Sequence, residues 1–99
     1  MKMSIEDLDR ILCLKGLKFK DELTRMGSNT SLLCYNGYIT YDGEEFNQLM
    51  IWYDKEIISV KGIYESAFSS RSLLFELNKF KQLFEKELRI VKLEKITQQ

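Results

Sequence analysis

A 99-residue chain with 44% hydrophobic residues, 30% charged residues and no net charge is the size of one soluble globular domain and lies far from the disordered class. It has no histidine and only two cysteines, which excludes a disulfide framework, the common zinc sites and the histidine-assisted nucleophiles of most hydrolases. No uncharged run approaches the roughly 18 apolar residues that cross a bilayer, and Glu6, Asp7 and Asp9 interrupt the stretch a signal peptide would need, so a single cytoplasmic domain over 1–99 is expected.

The first predicted element is a helix. Ile5, Leu8, Leu12, Phe19, Leu23 and Met26 follow a 3.6-residue period, with Ser4 and Asp7 spaced to cap the start and Gly27 to end it. Gly16 interrupts the stripe and marks either a close packing contact or, the favoured reading, a break or kink between two shorter helices.

From Ser31 the period changes. Asn36-Gly37 and Asp42-Gly43 suit two-residue hairpins, whose turns need positive φ, and Asp54-Lys55 is a weaker third turn. The segments between them, SLLCY, YITY, EEFNQLMIWY and EIISVKGIY, are rich in aromatic and β-branched residues and predict a four-stranded antiparallel meander, with one of the first two turns open to replacement by a bulge or a wider loop. SAFSSRS, residues 66–72, reads as a polar connection. Leu73, Leu77, Phe80, Phe84, Leu88 and Val91 then recur at helical intervals, predicting a C-terminal helix through about residue 87, beyond which 88–96 suits either continued helix or a fifth strand. The expected fold is α+β: helix, meander, helix.

The chemistry-bearing residues are sparse. Asp42, Glu44, Glu45, Asp54 and Glu56 lie at predicted turns, where carboxylates are ordinarily solvated, and no glycine-rich phosphate loop is present. The triplets GYI at 37–39 and GIY at 62–64 bring the GIY-YIG nucleases to mind, but the family's order is reversed and its YIG element is missing. Cys13 and Cys34, each beside apolar neighbours, are expected to be small core residues. Neither metal nor cofactor is expected, and the chain is not expected to be an enzyme.

Two-residue turns would place Leu33, Tyr35, Tyr38, Thr40, Asn47, Leu49, Ile51, Ile58 and Val60 on one face of the sheet. Leu32, Cys34, Ile39, Tyr41, Phe46, Met50, Trp52, Ile57 and Ile63 would lie on the other, since paired residues share a face. Neither set is polar enough to face water throughout. Either one helix covers each face, or both cover the Leu49 and Ile51 side and leave Met50 and Trp52 for another chain. The second arrangement predicts a small protein-binding factor, an inhibitor, adaptor or chaperone-like accessory protein, that uses Tyr41, Phe46, Met50, Trp52 and Ile57 and is most simply a homodimer.

Charge supplies the alternative. Ser31 to Phe68 holds two cations against six anions, and Ser69 to Gln99 holds seven against four. The basic end could bind nucleic acid through Lys86, Arg89 and Lys92, whereas an acidic sheet is a poor platform for stacked bases.

Overall fold

The computed structural model describes residues 2–24 and 29–97. In chain order it contains α1 (Ile5–Leu14), β1 (Lys18–Thr24), β2 (Ser31–Tyr41), β3 (Glu44–Tyr53), β4 (Ile57–Glu65), β5 (Ser70–Phe75), α2 (Leu77–Leu83) and α3 (Glu85–Thr97). The strands form one antiparallel sheet in sequence order. The fold is α+β, with five strands rather than four and two C-terminal helices rather than one.

At α1 the capping reading holds: the Ser4 side chain accepts from the Asp7 N–H at 3.2 Å. The helix then stops at Gly16 instead of bending there. Gly16 adopts φ +96°, its N–H bonds to the Cys13 carbonyl, and the Leu17 N–H reaches back to the Leu12 carbonyl. These two bonds satisfy carbonyls that the helix end would leave unpaired, and they turn Leu17 into the core, where it is 2% exposed. Residues 18–24 are a strand, so the helical spacing of Phe19 and Leu23 is coincidental. A bulge after Phe19 sets Phe19 against Tyr35, with ring centroids 5.5 Å apart, while Leu23 pairs with Leu32 on the other face. Met26 and Gly27, read as the end of that helix, fall outside the described residues.

The three predicted turns have three outcomes. Asp42 and Gly43 have φ of 52° and 78°, as the hairpin requires. Asn36-Gly37 is no turn: SLLCY and YITY are one continuous strand, β2, in which Gly37 and Tyr38 together oppose the single Asn47. This bulge needs glycine twice over, because Gly37 has φ +147° and a Cβ there would lie 2.6 Å from Leu17 Cδ2. The third turn is a residue longer than expected. Tyr53 pairs with Ile57 across residues 54–56, Lys55 takes φ 59°, and Ile58 is left as an extra residue in β4.

Residues 70–75, read as connection and helix start, form the edge strand β5, so Leu73 and Leu74 belong to the sheet and α2 begins only at Leu77. The segment 88–96 is helical, within α3, which breaks from α2 at Phe84. All three helices contribute to one buried cluster with Leu33, Tyr35, Leu49, Ile51 and Val60. They therefore share one side of the sheet.

Candidate protein-binding face

The side of the sheet turned away from the helices is organised in cross-strand rows. Leu23, Leu32, Trp52 and Ser59 form one row, Asp21, Cys34, Met50, Lys61 and Leu74 the next, and Lys18, Asn36, Gln48, Ile63 and Ser72 a third. Leu32, Cys34, Met50, Trp52 and Ile63 are half-buried by their neighbours in the sheet, while Leu23 and Leu74 at its edges are exposed. The Lys61 ammonium lies 5.8 Å from the centre of the Trp52 ring, close enough for attraction to the ring's negative face. Burial pushes the Cys34 thiol up, and the neighbouring Asp21 carboxylate adds to the shift.

Two of the five predicted interface residues, Met50 and Trp52, lie on this open face. Tyr41, Phe46 and Ile57 are instead core, each at most 5% exposed, and each correction has a backbone cause. Because β2 runs through Gly37 without turning, Tyr41 and Ile39 stay on the Leu33 and Tyr35 side. Ile39 pairs with Phe46, so Phe46 joins them, and β3 changes face between Phe46 and Leu49. At that change the Asn47 amide stands in for a ladder pair, donating to the Glu65 carbonyl at 2.8 Å and accepting from the Glu65 N–H at 3.1 Å. The extra residue Ile58 does the same for β4, turning Ile57 inward and leaving Ile58 exposed.

These irregularities bring the β2–β3 tip over the sheet. The Tyr41 ring stacks on Phe75 at 4.0 Å, Phe46 meets Phe75 edge-on at 5.3 Å, and Arg71 donates to the Glu45 carbonyl at 3.0 Å. Gly62 underlies this cluster, and a Cβ there would stand 2.9 Å from Phe46 Cγ and overlap the Phe75 ring. A glycine inside a strand marks such a close approach, and Gly62 within EIISVKGIY is the signal from which sequence reasoning could have found it.

Other places hold less chemistry. Lys86, Arg89 and Lys92 are exposed on α3, with Leu93 and Ile96 exposed beside them. Cys13 is exposed rather than core, and Cys34 is half-buried; both are free thiols. An open groove of about 340 Å³ between α1 and the edge strand β1 is lined by Ile5, Glu6, Asp9, Phe19, Glu22, Leu33 and Tyr35. There the Tyr35 hydroxyl donates to Asp9 at 2.8 Å, and burial, reinforced by that carboxylate, raises its pKa. Among the described residues no group of three Cys, Asp or Glu side chains could hold a metal ion, and no helix is long and apolar enough to cross a membrane.

No protein-family model matches the chain, and no curated protein or solved structure matches it either.

Proposed function

We propose that the protein acts by binding another protein through the open face of its sheet, in the manner of a small inhibitor, adaptor or accessory factor. The observation that supports this reading is the placement of the helices. Three helices crowd one side, while the opposite side carries Leu32, Met50, Trp52 and Ile63 in adjacent rows with no layer of the described residues over them. Tryptophan and methionine at the centre of such a patch, with polar residues around it, match the composition of interface cores.

Purification from the native host tests the reading when wild type and Met50→Glu are compared side by side. A protein recovered in stoichiometric amount with wild type and lost with the variant, at unchanged unfolding midpoint, is the expected result. Recovery of the same proteins with both would sink the proposal. Binding of nucleic acid by Lys86, Arg89 and Lys92 has less behind it, because Glu85 and Glu94 share their helix and Leu93 and Ile96 interrupt the basic surface. Absence of any DNA or RNA shift at low salt, where such contacts are strongest, would remove it.

A further inference from the structure

We infer that the open face is complementary to itself, and that its occupant is a second copy of this chain, packed sheet to sheet about a two-fold axis that runs parallel to the strands between β2 and β3. The inference rests on the reading of this face as a protein-binding surface and adds the partner and the register. Sheets packed face to face keep their strands roughly aligned, and a two-fold axis brings the same patch of both copies together. An axis between the second and third strands sets β2 against the partner's β3 and β1 against the partner's β4.

The cross-strand rows then determine what meets. In the row Asp21, Cys34, Met50, Lys61, the Asp21 carboxylate of each copy faces the Lys61 ammonium of the other, and Cys34 faces Met50. In the next row Leu32 faces Trp52, and in the third Asn36 faces Gln48 and the exposed Lys18 at the edge faces Ile63, its ammonium left at the solvent-facing rim. Moving the axis by half a strand spacing, onto β3, would set Lys61 against Cys34 and Asp21 against Leu74, and both charges would be left without a partner. Within one copy Asp21 and Lys61 stand three strands apart, roughly 14 Å at the usual spacing. Neither has an ion pair inside the chain among the described residues. Among those residues Asp21 accepts only from the Glu22 N–H at 2.8 Å and Lys61 lies over the Trp52 ring, so two charges of opposite sign, each without a counter-charge in its own chain and placed symmetrically about an apolar centre, suit a self-complementary face.

Sedimentation velocity over a range of concentrations tests this with the full-length chain and two single-charge reversals, Asp21→Lys and Lys61→Asp. Each variant alone sets like charges together twice across the interface, and its association should weaken by roughly tenfold or more, the difference narrowing as salt rises. An equimolar mixture of the two variants has both pairs attractive again and should recover association near the wild-type level. Recovery on mixing cannot arise from misfolding of either variant, and unfolding curves of each alone provide the second check. A monomeric wild type overturns the inference, as do single variants that associate like wild type or a mixture that does not recover. If wild type is monomeric while a host protein is still lost with Met50→Glu, the face binds a different protein and only the second copy is ruled out.

Discussion

The two faces of this sheet are both rich in apolar side chains, yet they differ in what happens to their polar groups. On the helix-covered side three tyrosine hydroxyls reach another element: Tyr35 donates to Asp9 of α1, Tyr53 donates to the Met3 carbonyl, and Tyr41 accepts from the Glu76 N–H ahead of α2. On the open side Gln48, Ser59 and Lys61 interleave with Met50, Trp52 and Ile63, and no helix among the described residues comes down to meet them. A buried polar group must find a partner inside the protein, because water no longer supplies one. The anchoring of hydroxyls across layers, more than apolar content, therefore distinguishes the covered face from the open one.

The largest test of that contrast compares two aromatic truncations. Phe46→Ala removes a fully buried ring and should cost about 3–5 kcal/mol. Trp52→Ala removes a larger side chain from a half-buried position, and in dilute solution it should cost less than about half of that. Denaturant unfolding at several protein concentrations separates the two, since any stability gained from association depends on concentration. Equal losses at the lowest concentration would erase the distinction between the faces.

Small side chains extend the comparison at a lower magnitude. Gly62→Ala forces a methyl group into the Phe46 and Phe75 rings and should cost about 1–3 kcal/mol, as overpacking does. Ser59→Ala, on the same strand but facing outward, should change stability by no more than about 0.5 kcal/mol. The bulge glycine gives a parallel case: Gly37→Ala meets both a positive φ and the Leu17 side chain, whereas Gly43→Ala meets only the positive φ. The Gly37 variant should be the less stable of the two by chemical denaturation, and the reverse order would place the tighter constraint at the turn rather than the bulge.

Several features were legible in the sequence. Ser4 marked the start of α1, Gly16 marked an interruption of the first stripe although Gly27 was read as its end, Asp42-Gly43 marked a hairpin, and the change of period near Ser31 marked the strands β2 to β4. What was not legible depends on single extra residues. A side-chain period of two means that one bulge exchanges the faces of everything beyond it. Two such irregularities, the bulge in which Gly37 and Tyr38 oppose Asn47 and the extra residue Ile58, decided that Tyr41, Phe46 and Ile57 belong to the core while Met50 and Trp52 do not. The helical spacing of Phe19 and Leu23 was lost to the Gly16 reversal, which left residues 18–24 free to pair with β2. Residues 70–75 became a strand because Phe75 pairs opposite Val60 and packs on Tyr41 and Phe46, a long-range match that no local pattern carries.

A further predicted effect concerns one of the anchoring hydroxyls and depends on pH. Tyr35→Phe keeps the ring but removes the hydrogen bond to Asp9, which should cost about 1–2 kcal/mol near neutral pH, since the acceptor is charged. Burial and the Asp9 carboxylate both hold the Tyr35 hydroxyl in its neutral form, raising its pKa above the ordinary value of 10.0. A group whose folded pKa is raised stabilises the fold fully below its unfolded pKa and loses that contribution as pH climbs above it. In the unfolded chain Tyr35 ionises near pH 10 and gains a form that the folded protein resists. Wild type should accordingly lose more stability than Tyr35→Phe between about pH 8 and pH 11, and the gap between them should narrow over that interval. Urea unfolding of the pair at each pH measures it, and a gap that stays constant across the alkaline range would mean that the Tyr35 hydroxyl is neither sealed from water nor held by Asp9.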